Sequence, residues 1–220
     1  METFNVNLLT VYAVSLFKIY KEMSNKTKER LIIEAFKLFA SKPYDQVTFA
    51  DLEKVTNLSR GAILYHIKTK ENLFIEVMHY FIFHSISVAS VKIDKEKTLK
   101  DFILACVEEC TKEVQKMKDL GIYNINLAKL NIESQGFYFY PKMKDESINW
   151  LSNQYTIWEE RITYAISNHE IKPVAIPSDI ASLFINQYLG ISYSGLVRDD
   201  GIDLDKLKKD LFFIYDLMKR

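Results

Sequence analysis

Apolar residues recur every three or four positions along most of the chain, which is the spacing of one face of an α-helix. The first such stripe follows a polar stretch in which Asn25 can cap a helix. The sequence SKPYD then predicts the end of this helix, because Pro43 cannot donate a hydrogen bond to the helical ladder. The stripe consists of Leu31, Ile32, Ala35, Phe36, Leu38 and Phe39.

Two short helices are predicted directly after this break. Thr48 with Asp51 three residues later has the spacing of a capping box and predicts the start of the first. Asn57 is suited to a left-handed turn, and Ser59 can cap the second, which ends near Ile67. Two short helices joined by a tight turn form the outline of a helix-turn-helix.

The remaining pattern predicts only further helices. Thr69 can begin a helix that continues to about Val91, and Thr98 can begin another that ends before Gly121. Four more helical patterns follow toward the C-terminus. They cover roughly residues 122–134, 144–168, 178–198 and 204–220.

Breaks between these later helices are predicted from Gly and Pro. The sequence GFYFYP indicates a break at Gly136 and Pro141, and Ser178 is predicted to cap the helix that follows IKPVAIPSD. We therefore predict an all-α protein of about nine or ten helices. Residues 24–70 would form a three-helix helix-turn-helix domain, and residues 71–220 a helical bundle for dimerisation and ligand binding.

Residues 1–23 precede these patterns and are interpreted as an N-terminal arm. Its apolar stretch from Leu8 to Phe17 is shorter than the roughly 20 residues that cross a bilayer. A signal peptide is disfavoured because neither a basic region nor a small-residue cleavage site flanks this stretch. Met23 is an alternative start of the natural protein, and a membrane anchor is a third interpretation. We expect a cytoplasmic protein with no membrane partner.

Composition supports helices, and the charges are unevenly distributed. The 220 residues include only 6 Gly and 4 Pro, which turns between strands would need in larger numbers. The formal net charge is zero, but residues 24–70 hold nine basic and five acidic side chains, so this segment carries +4 and the remainder −4. A basic segment on an acidic body is expected when one end of a protein binds nucleic acid.

The sequence offers little material for catalysis. It contains no Gly-rich phosphate loop, no nucleophile elbow and no His, Cys and Asp cluster with metal-ligand spacing. We therefore expect no enzymatic activity, no cofactor and no metal. Cys106 and Cys110 are four residues apart in a helical pattern, which favours a pair of buried small apolar residues over a redox or metal role.

The second short helix carries the candidate DNA-binding chemistry. Its N-terminus has partial positive charge, which favours phosphate, and Arg60 can reach guanine or phosphate there. Gly61 allows a close backbone approach, and the nearby hydroxyl, imidazole and ammonium groups can donate to phosphate oxygens. The alternative is a solvated charged face. The candidates are Thr48, Ser59, Arg60, Gly61, Ala62, Tyr65, His66, Lys68 and Lys70.

The stretch EAFKLFASKPYDQVTFADLEKVTNLSRGAILYHIKTKENLF matches a family pattern, namely an AxxLF core followed by Gy..tT...IA..AGvs.gtlY.hF.sKe.L. From Lys28 to about Val77 the chain thereby resembles the DNA-binding domain of TetR-family transcriptional regulators. The KTKENLF ending is the most specific part. Leu64 stands where a phosphate-contacting tyrosine is common, with Tyr65 one place later. The matching positions are Ala35, Leu38, Phe39, Tyr44, Thr48, Ser59, Gly61, His66, Lys70, Glu71 and Leu73.

The resemblance implies a C-terminal body that dimerises through its last two long helices and often holds a small ligand. Aromatic side chains are concentrated there and suit an apolar pocket, although each of them can equally be core or dimer interface. We expect an unknown small apolar or aromatic effector. The candidate ligand-binding residues are Phe102, Tyr123, Phe137, Tyr138, Trp150, Tyr155, Trp158 and Tyr188.

These observations lead to two hypotheses. In the first, a homodimer binds a palindromic double-stranded operator and acts as a ligand-responsive repressor. In the second, the protein is a TetR-like ligand-binding or adaptor protein that has lost DNA binding, which the departure at Leu64 allows. A DNA-selection experiment at two salt concentrations separates them.

Overall fold

The computed structural model describes residues 24–83, 88, 91, 94 and 97–220. This part of the chain forms nine α-helices, which confirms the all-α prediction. The N-terminal arm lies outside the described residues. The helices are α1 (24–41), α2 (Phe49–Thr56), α3 (Arg60–Ile67), α4 (Lys70–Met78), α5 (Leu99–Asp119), α6 (Ile125–Phe139), α7 (Met143–Ser167), α8 (Pro177–Ser194) and α9 (Leu204–Met218).

The helix-turn-helix follows the caps that the sequence predicts. Thr48 and Asp51 form a reciprocal capping box at the start of α2, and the Ser59 side chain accepts a hydrogen bond from an N–H of α3. Asn57 adopts a left-handed conformation with φ of 54° between the two helices. The prediction that Asn25 caps α1 is wrong, because the helix already includes residue 24.

Aromatic side chains join α1 to α4 and to the turn that directly follows it. The rings of Phe36 and Phe81 have centroids 4.0 Å apart, and Phe39 meets Phe74 edge-on at 5.1 Å. All four side chains are buried. Because α4 completes the core of the N-terminal domain and then continues into the body through a π-helical turn (His79–Phe83), it belongs to both parts.

The body consists of α5 to α9. Helix α7 packs along α8, and α9 packs against α5 and α8. At the centre of this packing Trp158 of α7 stacks on Phe184 of α8 with centroids 4.7 Å apart and rings 8° from parallel. The predicted cap at Ser178 is wrong, since α8 begins at Pro177, a residue that tolerates the first helical position because it needs no N–H partner there.

Gly136 does not interrupt helix α6, which corrects the break predicted from GFYFYP. Helix α6 continues to Phe139, and Gly136 is buried within it. A Cβ atom at this position would lie 2.8 Å from Met143 Sδ and 3.1 Å from Met78 Cε. The glycine therefore serves a close approach of α4, α6 and α7, and the helix ends before Pro141.

None of the described helices combines the length and the apolar composition that a bilayer crossing requires.

Candidate nucleic-acid interface and internal cavity

Helix α3 presents two different faces. Ile63 and Ile67 are buried against the rest of the N-terminal domain. On the opposite face Arg60 and Gly61 are exposed, and Tyr65 keeps 66% of its surface accessible. A Cβ atom added to Gly61 would contact nothing within 4 Å, so this end of the helix is open to a large partner.

Contacts with α2 hold the N-terminus of α3 in place. The Arg60 backbone N–H donates to Glu53 Oε1 at 2.6 Å, and the Arg60 guanidinium lies over the Phe49 ring at 4.9 Å from its centroid. The ring limits the conformations of the arginine while leaving its donors at the surface. An anion would meet both the guanidinium and the positive end of the helix dipole here.

Thr48 is predicted to contact DNA, but its side chain forms the cap of α2. Its hydroxyl donates to Asp51 Oδ2 at 2.8 Å and accepts from the Asp51 N–H at 3.1 Å. Lys42 also donates to this carboxylate at 2.9 Å. Hydrogen bonds from Lys42 and Thr48 hold the pKa of Asp51 well below its usual range. Thr48 is exposed, and its side chain caps the start of α2.

Three predicted DNA-contacting residues lie deeper than expected from the sequence. Ala62 is half-buried in the first turn of α3. The His66 ring is half-buried, and burial together with the positive charge of Lys28 lowers its pKa from the usual value. Lys70 points inward: its ammonium donates to the carbonyls of Tyr44 and Val47 at 2.9 and 3.0 Å.

Lys68 is exposed in a tight turn between α3 and α4. Its φ of 62° and ψ of −49° are unfavourable for a residue with a Cβ, and the Thr69 N–H donates across it to the Ile67 carbonyl at 2.7 Å. Lys68 therefore joins Arg60, Gly61 and Tyr65 on the open surface, which we call the α3 surface. It combines a basic, largely polar set of groups with one exposed aromatic ring.

The connection between the N-terminal domain and the body was missed at the level of sequence. The Gln135 side chain of α6 donates to the Phe39 carbonyl at 3.0 Å and accepts from the Tyr44 N–H, and Asn131 donates to the Ala40 carbonyl at 2.9 Å. The Tyr44 ring stacks on Phe139 at 4.4 Å. Two amides four residues apart on one helix are too common a pattern to have indicated this contact.

The body contains two neighbouring pockets that share part of their walls, and we call them the two lobes of one cavity. The apolar lobe, of about 50 Å³, lies between α5, α7, α8 and α9 and includes Trp158 and Phe184 in its wall. The polar lobe, of about 260 Å³, includes Lys129 and Glu133 of α6. Four side chains line both lobes, namely Cys110, Trp150, Tyr188 and Leu189.

Only part of the predicted ligand-binding set meets at this cavity. Trp150, Trp158 and Tyr188 line it, and Phe102 packs edge-on behind Trp158 at 5.0 Å. Tyr155 instead faces α8, where its hydroxyl donates to Asn186 Oδ1 at 3.5 Å. Three predicted residues are placed elsewhere, because they occupy the exposed side of α6 and of the segment before it: Tyr123, Phe137 and Tyr138.

The cysteine pair is buried in the cavity wall. Burial raises the pKa of the Cys106 thiol well above its usual value and that of Cys110 to about 12, so both are neutral thiols. This agrees with the interpretation as small apolar residues. Within the described part of the chain, no three His, Cys, Asp or Glu side chains are grouped closely enough to hold a metal ion.

Known sequences are similar to this chain in its N-terminal domain. The family of bacterial regulatory proteins named tetR matches residues 31–77. The HTH-type transcriptional regulator QacR of Staphylococcus aureus is 36% identical over 52 residues, 24% of this chain and 28% of QacR. The regulator YuxN of Bacillus subtilis is 39% identical over 57 residues, 26% of this chain and 20% of YuxN. The matches thus span only 20% to 28% of these relatives' own length.

Solved structures are similar over nearly the whole chain. A TetR-family regulator from Agrobacterium tumefaciens has a TM-score of 0.64 at 11% identity and covers 90% of this chain and 100% of its own. NalD, the secondary repressor of the MexAB-OprM multidrug efflux pump in Pseudomonas aeruginosa, has 0.57 at 16%, covering 90% and 98%. The SmeT–triclosan complex has 0.60 at 12%, covering 89% and 92%. At these identities the similarity shows the fold alone.

The fold and the site define an all-α protein with an N-terminal helix-turn-helix domain on a helical body. Residues 31–77 match the tetR family of bacterial regulatory proteins, and the chain as a whole has the fold of solved regulators of that family.

Proposed function

We propose that this protein regulates transcription by binding a palindromic DNA operator as a homodimer, and that a small molecule bound in the body controls this binding. The observation that carries the proposal is the α3 surface. Its helix is capped and packed on one side, and it exposes a guanidinium, an open glycine and a tyrosine at the helix N-terminus. A helix presented in this way fits the major groove, which is about 12 Å wide.

The exposed apolar residues of α8 and α9 support a homodimer. Leu183 and Tyr193 of α8 are 55% and 75% exposed, and Phe213 and Leu217 of α9 are 63% and 64% exposed. These two helices pack on each other, so their exposed residues belong to one surface of the body. A second copy would remove this apolar surface from water and bring a second α3 into the same assembly, as reading a palindrome requires.

Control by a ligand is supported by the two faces of α6. One face contributes Lys129 and Glu133 to the cavity, and the other contributes Asn131 and Gln135 to the N-terminal domain. A ligand that shifts α6 would change the orientation of α3 through these amides. The SmeT–triclosan complex shows a protein of the same fold with a small aromatic molecule bound, and NalD is a repressor, so we extend both features to this chain.

The test is a DNA-selection experiment with purified protein, followed by operator binding at two salt concentrations. Arg60→Ala should weaken operator binding about 10- to 100-fold and reduce the salt dependence, because a contact to guanine or phosphate is lost. Lys172→Ala is the matched control, since it removes an exposed positive charge from the connection between α7 and α8. Equal affinity for both variants would reject the α3 surface, and failure to select any sequence would favour the adaptor hypothesis.

A further inference from the structure

The two lobes of the cavity present different chemistry to one ligand. The apolar lobe is lined mainly by valine, isoleucine, leucine, cysteine and aromatic side chains, with Glu109 and Gln154 as its polar members. Trp150 and Tyr188 line both lobes. The polar lobe also contains the amine of Lys129, the carboxyl group of Glu133 and the hydroxyl group of Ser192. A molecule that fills both lobes must therefore be amphipathic, with its polar atoms near Trp150.

Trp150 leaves a hydrogen-bond donor without a partner. Its indole Nε1–H is buried and has no acceptor among the described residues. An unpaired buried N–H is costly, and tryptophan can only donate. The missing partner must therefore be an acceptor atom, and the position of Trp150 in the walls of both lobes places that acceptor at their junction.

The polar lobe contains Lys129 and Glu133, and both are affected by burial and by neighbouring charges. Burial lowers the pKa of Lys129, while the negative charges of Glu113 and Glu133 act in the opposite direction. Burial also raises the pKa of Glu133, and Lys129 opposes that shift. A ligand with a net charge would have to lose its hydration in this buried region, which is unfavourable whatever the sign of the charge.

We propose that the cavity binds an uncharged amphipathic molecule with a carbonyl oxygen that accepts a hydrogen bond from Trp150 Nε1, while its apolar part fills the apolar lobe. This inference rests on the proposed ligand control and specifies the class of ligand. Ketones, esters and lactones with an alkyl or aryl group have this chemistry.

Four probes of similar shape separate the alternatives. The neutral acceptor is 4-butylacetophenone, the hydrocarbon is 1-butyl-4-isopropylbenzene, and the charged probes are 4-butylbenzoate and 4-butylbenzylammonium. Binding is followed by tryptophan fluorescence, because the chain has two tryptophans and both line the cavity. We expect the ketone to bind at least 10-fold more tightly than either charged probe.

The donor is tested with Trp150→Phe, and Trp158→Phe serves as the matched control from the same lobe. The ratio of ketone to hydrocarbon affinity should fall about 10-fold in Trp150→Phe and stay unchanged in Trp158→Phe, because only the first variant loses the free donor. Each variant retains one tryptophan as a reporter. In the unaltered protein, the ketone and not the hydrocarbon should shift the Trp150 indole N–H resonance downfield, a readout that does not depend on how a variant folds.

An unchanged ratio in Trp150→Phe, tighter binding of a charged probe, or no binding of any probe would each overturn the proposal. Operator binding by the same preparations is measured separately. Intact operator binding without probe binding rejects this ligand class alone, whereas loss of selective operator binding rejects the proposed function.

Discussion

The N-terminal domain and the body differ in how they use apolar side chains. In the N-terminal domain Leu52, Ile63 and Phe39 are fully buried, and its open surface at α3 is polar apart from Tyr65. The body leaves large apolar residues exposed along α8 and α9 and leaves an internal cavity with an unpaired indole donor.

This difference indicates different kinds of partner. A polar, basic surface on a packed domain suits a hydrated polyanion, since the affinity comes from charge and hydrogen bonds. Exposed apolar surface and an incompletely filled interior suit a second copy and an apolar ligand, because burial supplies the free energy of binding. Helix α6 joins the two regions and contacts both through different faces.

The largest expected effect concerns the apolar surface of the body. Phe213→Glu places a charge in the proposed dimer interface, and we expect monomers in sedimentation velocity and at least a 100-fold loss of operator affinity. Phe137→Glu is the control, because Phe137 is 61% exposed, close to the 63% of Phe213, but lies on α6. If both variants remained dimeric, the α8 and α9 surface would not be the interface.

A smaller effect is expected for the connection between the two regions. Gln135→Ala removes hydrogen bonds to the Phe39 carbonyl and from the Tyr44 N–H. Since a part-buried hydrogen bond contributes about 1 kcal/mol, amide hydrogen exchange in a peptide covering residues 39–47 should become roughly fivefold faster.

The matched control is Gln115→Ala, whose side chain bonds only within α5, to Asp119. Exchange in residues 39–47 should not change in this variant. Equal exchange in the Gln135 variant and the unaltered protein would show that α6 does not hold the N-terminal domain through this amide.

The smallest effect is local to the α3 surface. Lys68→Gly should give a free energy of unfolding about 1 kcal/mol higher than Lys68→Ala, because only glycine relieves the unfavourable backbone conformation at φ of 62°. Both variants lose the same charge, so their operator affinities should fall equally. Chemical denaturation measures the first quantity, and equal stability of the two variants would argue against strain in this turn.

The local structure of the N-terminal domain could be predicted because its signals are short-range. Thr48, Asp51, Asn57 and Ser59 act within three or four residues of their partners, so their positions alone indicate helix starts and the turn. The exposed position of Arg60 followed from the same helix.

Sequence was less informative wherever a contact joins distant segments. Gly136 has the local signature of a break, yet it allows Met78 and Met143 to approach α6. Lys70 has the pattern of a phosphate contact, yet two carbonyls 23 and 26 residues away take up its ammonium. Neither outcome is encoded in the neighbouring residues.

The sequence by itself determined the helical class, the caps of α2 and α3 and the polar face of α3, because these depend on periodicity and on hydrogen bonds between near neighbours. Only the tertiary structure decided which aromatic residues line the cavity, since Trp150 and Tyr188 meet there while Tyr138 is exposed. The physical reason is that burial depends on how helices pack, and packing is set by side chains far apart in the chain.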